Sequence, residues 1–92
     1  MPRLKIPRCV YFNPEVTYFK PQGIPLRLLE EVTLMPDEVE ALKLYEIDGL
    51  EQTKAAKKMK VSQPTFARIL ASATKKTARA IIEGKAIKIE KP

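Results

Sequence analysis

The side chains able to do chemistry in these 92 residues are cations, amides and hydroxyls rather than catalytic groups. There is no histidine, which removes the commonest general base and the commonest metal ligand together. The single cysteine, Cys9, has no histidine to activate it and no second thiol for a disulfide or a zinc site. Neither an enzyme nor a metal or cofactor site is therefore expected. What remains is positive charge with a direction along the chain. Residues 1–50 hold six basic and eight acidic side chains, whereas residues 51–92 hold eleven basic ones against Glu51, Glu83 and Glu90. The overall +6 is thus a net −2 followed by a net +8. A +8 half suits a polyanion, because each Lys or Arg set near a phosphate releases condensed counterions. Charge alone leaves open a Lys-rich solvated surface of the kind found in heat-adapted proteins.

The spacing within the basic half is more informative. A helix fits 51–59, with Ala55, Ala56 and Met59 facing inward and Leu50 just ahead of it. A turn follows at Lys60-Val61, and Ser62 can cap the next helix with its hydroxyl. That helix carries Phe66, Ile69, Leu70, Ala73, Thr77, Ala80 and Ile81, which fall within an arc of roughly 120° when stepped at about 100° per residue. The opposite face gathers Pro64, Arg68, Ala71, Ser72, Lys75 and Arg79, with Gln63 and Thr65 near the exposed N-terminus. Two helices joined in this way form a helix-turn-helix, whose second helix fits a DNA major groove. Arg can bond guanine bidentately and Gln can bond adenine, so Gln63, Thr65 and Arg68 are the candidates for reading bases. Ser72, Lys75, Lys76 and Arg79 further along, and Lys54, Lys57 and Lys58 on the preceding helix, are candidates for touching phosphates. Lys60 stands where glycine is favoured, at a cost of ~1 kcal/mol if the turn requires positive φ. Arg3, Lys5 and Arg8, interleaved with Pro2 and Pro7, form either a basic arm for the adjacent minor groove or a frayed terminus.

The elements that must position these residues begin with proline. Six of the eight prolines lie at or before position 36, so the first 35 residues should be extended segments and turns. Residues 9–12 and 16–19 have the β-branched and aromatic content of short strands, and 26–34 fits either a short helix or a strand. Pro36-Asp37-Glu38 begins a helix expected to run to Asp48, with Gly49 as its left-handed stop. The apolar residues of that helix are not confined to one stripe, which predicts cover on several sides. The 21-residue stretch 63–83 ends at Gly84, and 85–90 alternates as a strand with Ile87 and Ile89 on one face. The expected fold is mainly α: a three-helix helix-turn-helix core (36–84) with short β-strands from an extended N-terminal segment (1–35) and a C-terminal strand (85–92), together one domain.

Four stretches carry a resemblance to a known family: Phe19-Lys20-Pro21-Gln22-Gly23-Ile24-Pro25-Leu26, Asp37-Glu38-Val39-Glu40-Ala41-Leu42-Lys43-Leu44, Val61-Ser62-Gln63-Pro64-Thr65-Phe66-Ala67-Arg68-Ile69-Leu70, and Gly84-Lys85-Ala86-Ile87-Lys88-Ile89-Glu90. Over residues 10–90 the chain resembles the small prokaryotic proteins of the domain-of-unknown-function 134 family, which are regarded as DNA-binding. Residues 34–82 are also similar to the helix-turn-helix of sigma-factor region four. Position 63 is more often Arg in the family, so Gln63 alters which base is read. The resemblance and the residues together point to sequence-specific binding of double-stranded DNA by a transcriptional regulator, with residues 63–81 as the recognition helix. A homodimer is expected, because one helix-turn-helix buries little surface for tight specific binding. The alternative is a protein–protein module for RNA polymerase or a sigma or anti-sigma partner, using the acidic stretch 30–48. The lone cysteine and the lack of any long apolar run suggest a cytoplasmic protein without membrane contact.

Overall fold

A proline at the first helical position and a carboxylate two residues beyond it open the helical part of the chain. The computed structural model describes residues 9–92. In it α1 runs Pro36–Leu42, and the Glu38 carboxylate accepts the Met35 backbone N–H at 2.8 Å. The helix expected to reach residue 48 changes pitch on the way. Lys43–Ile47 is a π-helical turn, in which the Asp48 N–H donates to the Lys43 carbonyl at 2.9 Å, before Gly49 turns left-handed at φ +73°. The wider turn changes which side chains face in. Leu44 is buried while Tyr45 and Ile47 reach solvent, so the cover expected around this helix is incomplete.

The basic half forms α2 (Gln52–Met59) and α3 (Gln63–Glu83). Ala55, Ala56 and Met59 are buried as the periodicity predicts, and so are Phe66, Ile69, Leu70, Ala73 and Ala80. Thr77 is half-buried, with its hydroxyl donating to the Ala73 carbonyl. Ile81 corrects the expected stripe: it is 71% exposed. It lies about 60° round the helix from Phe66, at the margin of the apolar arc. Small residues dominate the core. Ala41, Ala55, Ala56 and Ala73 let the three helices approach closely, and Phe66 and Met59 fill the space between them.

The N-terminal segment departs most from expectation. Residues 9–12 do not form a strand. The Cys9 N–H donates to the Met59 carbonyl at the end of α2, and those of Tyr11 and Phe12 donate to Glu40 Oε1 at 3.1 and 2.8 Å. A buried carboxylate thus satisfies amides that a neighbouring strand would otherwise have taken. The second expected strand shortens to β1, Tyr18–Phe19. The ambiguous stretch 26–34 contains both alternatives, a 3-10 turn at Leu26–Leu28 and then β2 at Glu31–Leu34. β3, Ala86–Ile89, lies between the other two strands, antiparallel to β1 and parallel to β2, with Glu31 opposite Ala86 and Leu34 opposite Ile89. Parallel pairing needs a long crossover, and here the chain between β2 and β3 contains all three helices. The fold is mainly α, with a small sheet that ties the N-terminal segment to the C-terminal strand. Among the described residues no helix is long and apolar enough to cross a membrane.

Candidate nucleic-acid interface

The turn between α2 and α3 sets the face that the basic residues share. Lys60 takes the left-handed conformation, φ +58° and ψ +45°, and is the one non-glycine residue with positive φ among those described. The expected strain is therefore present. Val61 follows, its N–H donating to the Ala56 carbonyl at 3.0 Å, and it rests half-buried against the core. Ser62 then caps α3 with its side chain, while its carbonyl accepts the first bond of the helix. Its Oγ accepts the Thr65 N–H at 3.2 Å and its carbonyl accepts the Phe66 N–H at 2.9 Å.

At the start of α3, Gln63 and Arg68 are exposed and Thr65 is half-buried. The Thr65 hydroxyl oxygen accepts from Ser62 Oγ at 2.9 Å and from Arg68 Nη2 at 3.3 Å. The cap therefore orients Arg68 across the first turn, and Thr65 keeps its own O–H to donate. Lys54, Lys57, Lys58 and Lys60 are exposed on α2 and the turn, and none forms an ion pair among the described residues. The reason is compositional: residues 52–82 contain eight Lys and Arg and no carboxylate at all.

Further along α3 the cations meet partners. Ser72 Oγ donates to Glu38 Oε2 at 2.5 Å, and Lys76 Nζ donates to Glu38 Oε1 and the Thr33 carbonyl, both at 2.9 Å. These two phosphate candidates thus fasten α3 to α1 and β2. Burial pushes the Glu38 carboxyl up, but the bonds from the Met35 N–H, Ser72 and Lys76 outweigh it and hold the group below its ordinary value. Arg79 lies 3.7 Å from Glu83, and Lys85 bonds both Glu30 and Glu83 at 3.1 Å. Lys75 is exposed without an ion pair among the described residues. Lys75, Lys76, Arg79 and Lys85 line a cleft of about 550 Å³ between β2 and α3. Three of these cations meet carboxylates, Lys76 with Glu38, Arg79 with Glu83, and Lys85 with Glu30 and Glu83. The cations without ion pairs among the described residues include those of α2 and the turn, Arg68 and Lys75.

Spacing marks Glu38 as a helix-starting carboxylate but does not show that it and Glu40 are the two buried carboxylates among the described residues. The signal for Glu38 was its position two residues after the helix-starting proline, where its side chain reaches back to the Met35 N–H. Most carboxylates of the acidic stretch 30–48 have partners within the chain, and two of them are buried. Glu38 and Glu40 are buried, and Glu30, Glu31 and Asp48 bond Lys85, Tyr18 and Lys43. The basic arm of Arg3, Lys5 and Arg8 lies outside the described residues.

A family model described as a protein of unknown function, DUF134, matches residues 1–91. A UPF0251 protein of Caldanaerobacter subterraneus subsp. tengcongensis is 54% identical over 90 residues, covering 98% of this chain and 76% of the relative. One from Moorella thermoacetica is 56% identical over 90 residues, with 98% and 60% covered. One from Halothermothrix orenii is 53% identical over 83 residues, with 90% and 62% covered. The chain thus spans about three-fifths of the length of the second and third relatives. No solved structure matches.

Proposed function

The chain belongs to the DUF134 family, and from that starting point we propose that it binds double-stranded DNA sequence-selectively, as a cytoplasmic transcriptional regulator that recognises rather than catalyses. The carrying observation is the coincidence of an acid-free stretch at 52–82 with an exposed helix start capped by Ser62. A major groove admits one α-helix, and the N-terminal turn of α3 offers an amide, a hydroxyl and a guanidinium side by side. In this reading Gln63, Thr65 and Arg68 meet base edges. Lys54, Lys57 and Lys58 hold the backbone beside the groove, and Lys75 and Arg79 reach phosphates further along. Ser72 and Lys76 keep their internal role, and Arg3, Lys5 and Arg8 supply a minor-groove arm.

The test is selection from a random duplex library, followed by titration of the selected site and a scrambled duplex at several salt concentrations. Four or five phosphate contacts per protomer predict a log–log salt slope of about −3.6 to −4.5 per protomer. Enrichment of a motif, with tighter binding to it than to the scrambled duplex, is the expected result. Binding with no enriched motif would remove the selectivity from the proposal, and no binding at low salt would remove the proposal itself.

A further inference from the structure

The cleft between β2 and α3 brings two lightly held cations to an open backbone edge. Lys75 and Arg79 are four residues apart, so one face of α3 presents both toward β2. Lys75 has no ion pair among the described residues. Arg79 Nε stands 3.7 Å from Glu83, beyond hydrogen-bonding distance, and an exposed contact of that length holds a guanidinium weakly. Their neighbours Lys76 and Lys85 are held by Glu38, Glu30 and Glu83, none of which lines the cleft. Glu31 is the one carboxylate in the lining, and its Oε2 accepts the Tyr18 hydroxyl at 2.6 Å. The wall opposite α3 is an edge strand, because among the described residues β2 pairs with β3 alone. The Ala86 N–H donates to the Glu30 carbonyl and the Glu90 N–H to the Leu34 carbonyl. In a parallel ladder this turns the backbone groups of residues 30, 32 and 34 toward β3, and those of Glu31 and Thr33 toward the cleft. The Thr33 carbonyl is taken there by Lys76 at 2.9 Å, which leaves the Thr33 N–H as a donor into the cleft.

We propose that this cleft binds a dianionic phosphate group, either inorganic phosphate or the terminal phosphate of a small monoester. The donor set fits that group. The Arg79 guanidinium offers a planar fork, Lys75 a point charge one helical turn away, and the Thr33 amide a third donor fixed by the sheet. A terminal phosphate has three oxygens to accept them and a charge of about −1.5 to −2 at neutral pH. That charge matches Lys75 and Arg79 together. A duplex backbone supplies a different group. Each of its internal phosphates is a diester with a single charge, carried on a convex rail that meets the rim of a cleft rather than its interior. The cleft's volume of about 550 Å³ is typical of small-molecule sites, and it leaves room beside the phosphate, against Val32, for an organic group. The site does not rest on the DNA reading. Where that reading holds, a bound phosphate would take Lys75 and Arg79 away from the duplex.

An amide NMR titration of the full chain without DNA, at fixed ionic strength, tests the inference. The probes are inorganic phosphate, adenosine monophosphate and, as a diester, dimethyl phosphate. Inorganic phosphate should shift the Thr33 amide resonance with half-saturation below about 10 mM. Dimethyl phosphate should bind at least tenfold more weakly. Lys75→Gln and Arg79→Gln should each weaken phosphate binding at least fivefold. Both side chains are exposed, so the variants should keep their helical circular dichroism. Arg27→Gln removes an exposed cation outside the cleft and should leave phosphate binding unchanged. Tighter binding of adenosine monophosphate than of inorganic phosphate would assign the ligand as a small monoester, and equal or weaker binding would assign it as free phosphate. No shift at Thr33, equal binding of the diester, or equal weakening by Arg27→Gln overturns the inference. Failure of DNA binding leaves this titration untouched, so the two proposals fail separately.

Discussion

Lys60 carries the backbone strain of the turn in a left-handed conformation that costs an L-residue roughly 1–2 kcal/mol. It also adds a cation beside the helix start. Lys60→Gly should therefore leave stability unchanged or raise it by up to about 1 kcal/mol in urea unfolding, because relief of strain is partly offset by glycine's larger unfolded-state entropy. The same variant should bind DNA more weakly. In the proposed DNA complex Arg68 reads a base and Lys57 grips a phosphate, so their variants should differ. Arg68→Ala should cost ~1–3 kcal/mol of binding and relax one base position, whereas Lys57→Ala should weaken all sequences alike and reduce the salt slope by about one. Competition binding with single-base variants of the selected site separates the two. The exposure of both side chains is legible in the sequence because position on a helical wheel depends on local spacing alone.

At the scale of elements, the bond between α3 and the α1–β2 unit depends on Glu38. Its carboxyl is lowered in the folded state, so the stability it contributes is present above the ordinary value of 4.5 and is lost as pH falls through the folded value. Thermal melts should be level from neutral pH to about 5 and then decline. Glu38→Gln should flatten the acid limb. Glu38→Ala leaves the Met35 N–H, Ser72 and Lys76 without their acceptor, at a cost of about 2–3 kcal/mol at neutral pH. Lys76→Ala separates the structural role from a DNA contact. It should lower the melting temperature by several degrees, about 4–8 °C per kcal/mol in a domain of this size, while leaving the salt slope of DNA binding unchanged. A reduced slope would return Lys76 to the phosphate contacts. Helical spacing alone puts Ser72 on the face opposite the apolar stripe and makes Ser72 and Lys76 candidates for phosphates. What covers them comes from Glu38, 34 and 38 residues away, and no local pattern encodes that meeting.

For the whole molecule, charge and apolar surface occupy different regions: cations without carboxylates on α2 and early α3, uncovered hydrophobic groups on the sheet side and the end of α3. A 92-residue chain has a thin core. Here much of that core is alanine, with Phe66 and Met59 its largest fully buried apolar side chains.

The sequence by itself determined what depends on neighbours within a turn or two. That includes the three helices, Ser62 as a cap, Gly49 and Gly84 as stops, the strand at the C-terminus and the acid-poor basic half. These follow from φ preferences, capping chemistry and a 3.6-residue period, all local. Only the tertiary structure decided how the two ends of the chain share a sheet, why residues 9–12 bond Glu40 instead of a strand, and which of α3's cations are neutralised. Each of these joins groups far apart in the chain, where burial and hydrogen-bond satisfaction choose the partner and spacing alone does not.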